Sequence, residues 1–241
     1  VTVTDVSNKV GVANFATVTV GNLGELHIVG AAGEDLSIDA TAKADFASIT
    51  ATGGGEVSIT DVAPKADFTT DAGAAAFAKV LSGVTADAVH VAFDTEGAFE
   101  GDVTLSAAQI AEVKSITSDN GNGDLFRLDV VDVPAGAVLA DIAAKTTDGE
   151  GVASFTGAED ADLSVTAAGL SDYDANATGT GSITVTKADL SDSETAVSVS
   201  DILRSVTVEL GTVSVEGALL RDASVTEEEM AEIASLTVNN A

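Results

Sequence analysis

The chain lacks several residue types on which common functions depend. Its 241 residues include no cysteine, no tryptophan, one tyrosine, one methionine and two prolines. The absence of cysteine excludes a disulfide scaffold, a thiolate metal site and a cysteine nucleophile. Because eight phenylalanines are the main aromatic residues, the core is predicted to consist of Ala, Val, Ile and Leu, which suit thin layers with closely approaching backbones.

Positive charge is also scarce. Lys and Arg total 10 against 39 Asp and Glu, giving a formal net charge of −29. Such a surface repels nucleic acid and anionic lipid, so neither is expected as a partner. The same surface attracts divalent cations and stays soluble in salt, where charge repulsion is screened. The composition leaves both readings open: solubility in a salty medium, or specific cation binding.

Long apolar runs are missing as well. No run of 18 apolar residues is present, so no membrane-spanning helix is expected. The sequence has no recognisable signal peptide and begins at Val1 rather than Met, which we interpret as a mature protein or a fragment of a longer one.

The sequence contains many short runs in which apolar and polar residues alternate, which is the period of a β-strand. Five such runs are marked by Val20, Ile28, Ile38, Ile49 and Ile59, spaced 8 to 11 residues apart. Six more occupy 162–166, 182–186, 196–200, 205–209, 212–216 and 235–238. We predict a mainly β fold of repetitive short strands with a few short helices, as a β-solenoid or stacked β-sheet modules in preference to a sandwich.

Helical signals are confined to three segments, 72–81, 106–114 and 226–234. The last two begin with capping boxes, and the segments 103–117 and 223–237 share the order strand, cap, short helix, strand, which indicates a degenerate internal repeat.

We place region boundaries near residues 65 and 155. They divide the chain into a β-repeat region (1–65), a mixed strand and short-helix region (66–155) and a second β-repeat region (156–241), unless the whole is one continuous domain.

In composition the chain resembles prokaryotic surface-layer proteins and related large secreted repeat adhesins. It is acidic, free of Cys, poor in Met and aromatic residues, and rich in Ala, Thr, Val, Gly, Ser and Asp. Its Leu-Ser-Ala-Ala-Gln helix start at 105–109 is similar to repeats in such proteins. The resemblance implies an extracellular, cell-surface location. The calcium-binding nonapeptide array of many secreted relatives is absent.

Two acidic segments are candidates for calcium. Asp172, Asp174 and Asn176 place oxygen ligands at alternate positions, as in a loop that wraps a calcium ion, although Ala177 and Ile183 stand where an EF-hand has Gly and Glu. Calcium is therefore the one predicted cofactor. The alternative is an acidic turn between strands. The second candidate comprises Asp119, Asn122 and Asp124, which resemble one copy of the nonapeptide repeat or a polar turn.

Catalysis has little support in the sequence. The two histidines, His27 and His90, fall in the polar phase of strand-like runs, and neither adjoins a Ser or acid in a nucleophile motif. No phosphate-binding loop is present. The chain is therefore predicted not to be an enzyme.

The sequence is compatible with three functions. The first is a structural protein that self-assembles into a surface layer or filament in a cation-dependent way, with itself or adjoining modules of the same polypeptide as partner. The second is a segment of a secreted adhesin that binds a host or surface ligand. The third is a β-helical polysaccharide-active enzyme, although carbohydrate clefts generally use aromatic platforms that this chain hardly has.

Overall fold

A computed structural model describes residues 1–7, 25–64, 67–94, 103–118, 127–146, 152–189, 199–218 and 227–238. The fold is mainly β with a few short helices, which confirms the predicted class. In the described ranges, no helix has the length and apolar character needed to cross a membrane. The choice between a solenoid, stacked modules and a sandwich stays a prediction.

Among the residues that the structure describes, seventeen short strands form four sheets. The strands are β1 Thr2–Val6, β2 His27–Ala32, β3 Leu36–Asp39, β4 Ser48–Thr52, β5 Val57–Val62, β6 Val84–Thr85, β7 Val89–Phe93, β8 Val103–Ser106, β9 Ser115–Ser118, β10 Leu128–Val133, β11 Val152–Gly157, β12 Leu163–Thr166, β13 Asp174–Ala177, β14 Ile183–Asp189, β15 Val206–Val208, β16 Val213–Ala218 and β17 Ser235–Val238. Sheet A has the order β1-β2-β4-β6, sheet B β3-β5-β7-β9, sheet C β15-β13-β11-β10-β8 and sheet D β12-β14-β16-β17.

The assigned strand pairings are parallel. Strands β2 to β7 alternate between sheets A and B, as strands β11 to β16 do between sheets C and D. For example, β2 and β4 pair in sheet A, while β3 and β5 pair in sheet B. Apolar residues at alternate positions point inward and stack from strand to strand: Ile28 and Ile49 are register partners, and both are fully buried. Parallel pairing requires a crossover of a dozen or more residues, which explains why strands close in sequence belong to different sheets.

Short helices precede several strands. They are α1 Ala40–Lys43, α2 Asp71–Leu81, α3 Ala107–Ala111, α4 Leu139–Ala143, α5 Val199–Arg204 and α6 Glu227–Glu232, with a 3-10 helix at Gly169–Ser171. The helices predicted at 72–81, 106–114 and 226–234 overlap α2, α3 and α6, although Ser106 belongs to β8 and α3 ends at Ala111. The strand predicted at 196–200 is wrong at Val199 and Ser200, which begin α5, because buried Val199 and Ile202 lie three residues apart on one helix face. Its other residues lie outside the described part of the chain.

The chain divides into two compact units. Unit 1 contains 1–103, 109–126 and 145–149, and unit 2 contains 104–108, 127–144 and 150–241. The predicted middle region, 66–155, therefore contributes residues to both units.

The two units repeat the same ladder of paired residues. In sheet A, Thr2, Val3 and Val6 pair with His27, Ile28 and Gly30. In sheet C, the residues 127 positions later pair in the same way: Asp129, Val130 and Val133 with Ser154, Phe155 and Gly157. The register shift before the last pair recurs too. The residue just before that pair has a positive φ in both units, 56° at Asp5 and 54° at Asp132. The internal repeat seen in two short segments therefore extends through both units.

Side-chain hydrogen bonds are repeated along with the ladder. Asp35 accepts a hydrogen bond from the Glu56 main-chain N–H at 2.8 Å, and Asp162 accepts one from Ser182 at the same distance. Thr52 donates to the Gly30 carbonyl at 3.2 Å, as Thr178 does to Gly157. These contacts join residues that lie in or next to paired strands, at equivalent places in the two units, so each unit is built on the same backbone plan.

Candidate functional surfaces

Polar side chains form rows on the outward faces of the sheets. Because strands pair in register about 4.8 Å apart, residues at equivalent positions stand beside one another. In sheet C one such row consists of Asp129, Ser154 and Asp174. Its counterpart in sheet A consists of Thr2, His27 and Ser48. The same row in the two units therefore carries carboxylates in one and a histidine in the other.

The predicted calcium ligands Asp172, Asp174 and Asn176 lie on and just before a strand rather than in a loop. Asp172 follows the 3-10 helix and is exposed, Asp174 is exposed at the start of β13, and Asn176 is half-buried two residues on. The intervening Tyr173, with 6% exposure, and fully buried Ala175 point into the core. Extended backbone sends Asp174 and Asn176 to one face in a line, whereas a calcium loop curves around its ion.

Asp174 has a hydroxyl and a second carboxylate as its neighbours in the row. Ser154 is its register partner, and the Ser154 hydroxyl donates to Asp129 at 2.6 Å. On the same face, two residues further along β13, Asn176 has Thr156 of β11 and Thr207 of β15 as its register partners. This surface offers oxygen ligands spread over several strands.

The second predicted calcium segment, with Asp119, Asn122 and Asp124, lies outside the described residues. Within the described ranges, no three His, Asp or Glu side chains come together in a way that could hold a metal ion. Calcium binding stays a prediction for both segments.

Each histidine contacts a serine and a glutamate, which the sequence reasoning missed. His90 Nδ1 lies 2.7 Å from Ser115 Oγ, and its Nε2 lies 2.9 Å from Glu56 Oε2. His27 Nδ1 lies 2.8 Å from Ser48 Oγ, and its Nε2 lies 3.5 Å from Glu25 Oε2. The histidine side chains are about one-third exposed, at 34% for His27 and 28% for His90.

Both histidine clusters result from the register in which neighbouring strands pair. Ser48 is the ladder partner of His27, and Ser115 is the ladder partner of His90. Both serines begin a Ser-Ile-Thr sequence at the start of a strand, which is the signal that could have linked them. Main-chain groups beside Ser115 are already bonded, since Lys114 donates to Val89 and Ile116 to Lys145. A Ser-His-acid triad needs free donors near the serine to bind a developing oxyanion.

Two lysines bind the carbonyl ends of helices. Lys43, with 7% exposure, donates to the Lys79 carbonyl at 2.9 Å and the Ser82 carbonyl at 2.5 Å, at the end of α2. Lys145 donates to the carbonyls of Ile110 and Val113, beside α3. Cations at a helix C-terminus are favoured by the helix dipole. Burial, and then the charge of Lys79, hold the pKa of Lys43 below its ordinary value.

A half-open pocket of about 220 Å³ lies beside Lys43, and its lining includes Ala40, Phe46 and Lys79. The ammonium of Lys43 is bonded to carbonyl groups and is not free for a ligand. The lysine therefore stabilises the join between α1 and α2 within unit 1.

We expect Lys43→Met to lower the free energy of unfolding by about 2 kcal/mol, because hydrogen bonds from a charged donor are worth roughly 1.5–3 kcal/mol. Methionine keeps most of the apolar stem but leaves the Lys79 and Ser82 carbonyls without this donor. Urea denaturation followed by circular dichroism measures the change. Lys114→Met, at an exposed position, is the control and should change stability by less than about 0.5 kcal/mol. Equal effects of the two substitutions would contradict the capping role.

Several sheet edges have no partner strand among the described residues. In sheet A these are the outer sides of β1 and β6, and in sheet B the outer side of β3. An unpaired edge presents main-chain N–H and C=O groups in the pattern that another strand can bind. These edges and the acidic outward rows are the candidate interaction surfaces. Comparison with protein families, curated proteins and solved structures finds no match to the chain.

Proposed function

We propose that the chain is a structural, self-assembling extracellular protein of a prokaryotic surface layer or filament, in which repeated modules join through open edges of parallel sheets. The single observation that carries the proposal is the ladder repeated 127 positions apart, Thr2 with His27 and Asp129 with Ser154. A module that recurs with the same strand register is typical of a protein that grows by adding similar units to one another.

A β-solenoid is the architecture that we propose for each unit. Strands β2 to β7 and strands β11 to β16 alternate between two sheets, and strands one turn apart pair in parallel, as β3 does with β5 and β5 with β7. In repeat architectures each turn contacts its neighbours, and the turns at the ends must be capped or paired. Pairing with another module satisfies that need.

The charge makes assembly dependent on ions. At −29 the chain repels its own copies, and screening over about 8 Å at physiological ionic strength reduces that repulsion. Calcium would act more specifically if it bound Asp172, Asp174 and Asn176, with ligands contributed by neighbouring strands. Binding to the folded form alone would also raise stability.

A catalytic role is less well supported. The histidine clusters at His27 and His90 contain Ser, His and Glu, yet they recur on sheet faces as cross-strand contacts. The main-chain donors flanking Ser115 are occupied. We therefore propose that these clusters tie strands together and that the chain is not an enzyme.

The test compares assembly in sodium chloride with assembly in calcium chloride at equal ionic strength. We expect light scattering and electron microscopy to show ordered sheets or filaments that form more readily in calcium. The Asp174→Asn variant should lose the calcium advantage but still assemble in high sodium chloride, because it removes a ligand charge and keeps the strand. Thermal melting with calcium and then with chelator gives the corresponding stability change.

Two outcomes would count against the proposal. A monodisperse protein under every ionic condition would contradict self-assembly and favour the adhesin alternative. If the Asp174→Asn variant responded to calcium as the wild type does, Asp174 would not be a calcium ligand. That result would contradict the proposed ion site and leave self-assembly untouched.

A further inference from the structure

The half-open pocket beside α1 and α2 combines an apolar lining with positive charge. The apolar residues that line it are Ala40, Ala44, Phe46, Ala76 and Val80. The polar residues that line it are Lys43, Lys79 and Ser82. Its volume of about 220 Å³ is below the roughly 300–1,000 Å³ of pockets that hold drug-sized ligands. The pocket therefore has room for a small molecule with an apolar part.

The charge around this pocket differs from that of the chain as a whole. The chain has 10 basic residues against 39 acidic ones, yet none of the described residues that line the pocket is acidic and two are lysines. Asp39 and Asp45 lie close by in sequence, at either end of α1. The Asp39 carboxylate already accepts a hydrogen bond from the Ala42 N–H at 2.7 Å. Two lysines without a lining carboxylate favour an anion here, although the net charge repels one.

The two lysines of the pocket differ in what they bind. The Lys43 ammonium donates to the carbonyls of Lys79 and Ser82, so its charge offsets the negative end of the α2 dipole. The Lys79 side chain is exposed and makes no hydrogen bond or ion pair with the residues that the structure describes. The charge of Lys79 helps to lower the pKa of Lys43, so the two ammonium groups are close enough to repel each other. An anion beside Lys79 would reduce that repulsion.

We propose that this pocket binds a small carboxylate with a short apolar tail, with the carboxylate paired to Lys79 and the tail against Phe46, Ala76 and Val80. An exposed ion pair contributes little by itself, and a short tail in a half-open pocket buries limited area. The ligand therefore needs both parts. The inference does not depend on self-assembly, because every lining residue belongs to unit 1.

The experiment is a titration of the isotope-labelled full chain with sodium hexanoate, followed by the amide signals in NMR spectra at low ionic strength. Acetate and hexylammonium are the comparison ligands. Acetate has the charge without the tail, and hexylammonium has the tail with the opposite charge. Because the chain has a net charge of −29, non-specific binding of an anion is disfavoured. A saturable response to hexanoate therefore reports a local site.

Two variants with matched controls test the two parts of the pocket. Lys79→Glu reverses the charge, and Lys114→Glu makes the same change at an exposed position of unit 1 that does not line the pocket. Ala76→Leu fills part of the pocket, and Ala78→Leu adds the same side chain at an exposed position of the same helix. The amide spectrum of each variant without ligand shows whether the fold is kept.

We expect hexanoate to shift signals of α1 and of the last turns of α2 until they saturate. Acetate should bind about tenfold more weakly or less, because it lacks four methylene groups whose burial contributes to affinity. Lys79→Glu should weaken hexanoate binding about tenfold, because an attraction becomes a repulsion. Ala76→Leu should weaken it as well, whereas Lys114→Glu and Ala78→Leu should bind as the wild type does.

Several results would overturn the inference. They are the absence of any saturable shift, shifts spread over residues far from α1 and α2, and wild-type affinity in Lys79→Glu. Hexylammonium that bound at the same residues as strongly as hexanoate would also overturn it, because the lysines would then not select the ligand. None of these results bears on the proposed self-assembly, which is measured separately.

Discussion

Phe155→Ala is expected to lower the free energy of unfolding by about 4 kcal/mol, within the range of roughly 3–5 kcal/mol for a buried phenylalanine. The Phe155 side chain is fully buried and meets Tyr173 edge to face, with ring centroids 4.8 Å apart. Its ladder neighbours are Val130 and Ala175. Hydrogen bonds fix these strands in register, so the surroundings have little freedom to close the cavity.

Tyrosine fluorescence offers a selective measurement of that change. The chain has a single tyrosine and no tryptophan, and Tyr173 belongs to unit 2. Urea denaturation followed by this signal therefore reports the unit that contains Phe155, while circular dichroism reports both units. Phe155→Leu is the matched control and should cost about 1 kcal/mol, because it keeps most of the buried volume. A loss of less than about 1 kcal/mol for Phe155→Ala would show that the core at this site collapses freely.

Gly181→Ala is expected to lower the free energy of unfolding by about 3 kcal/mol. A Cβ atom at Gly181 would lie 2.4 Å from the Ala161 carbonyl oxygen, which is main chain and cannot turn aside. Gly55 is the equivalent residue of unit 1, where a Cβ would lie 2.3 Å from the Glu34 carbonyl oxygen. We expect Gly55→Ala to lower the free energy of unfolding by a similar amount, since this close approach of main-chain segments is present in both units.

Gly136→Ala separates steric contact from backbone strain. Gly136 has φ +76°, yet a Cβ there would meet nothing within 4 Å. Its substitution should cost about 1 kcal/mol through the left-handed backbone alone. Thermal and urea denaturation of the three alanine variants give the comparison. If Gly181→Ala lowered the free energy of unfolding no more than Gly136→Ala, the main chain around Gly181 would have to be able to move apart and accept a Cβ atom.

Alternation of apolar and polar residues predicted the strands where the inward residues are large. The runs around Ile28, Ile38, Ile49 and Ile59 correspond to β2 to β5. This alternation did not predict β13, within 172–178, where the inward residues are Tyr173, Ala175 and Ala177. Alanine gives a weak apolar signal, and Asp and Asn at the outward positions favour a turn in isolation. Pairing with β11 and β15 overrides that local preference.

The histidine clusters and the extent of the repeat depend on register, which the sequence alone does not supply. Ser115 lies 25 positions after its ladder partner His90, so no local motif joins them. The repeat is blurred by insertions of unequal length. Thr2 corresponds to Asp129 at an offset of 127, whereas Ser115 corresponds to Ser235 at an offset of 120. Only the paired residues of the ladders reveal that one plan underlies both units.

The spacing of the ladder partners has a consequence for the order of folding. The described ladder steps range from 20 positions, as between Leu163 and Ile183, to 35 positions, between Ile49 and Val84. Each new strand therefore closes a loop of modest length onto a neighbour that already exists, at a nearly constant entropic cost. Such a chain can gain structure one strand at a time as it emerges from a ribosome, without waiting for its far end.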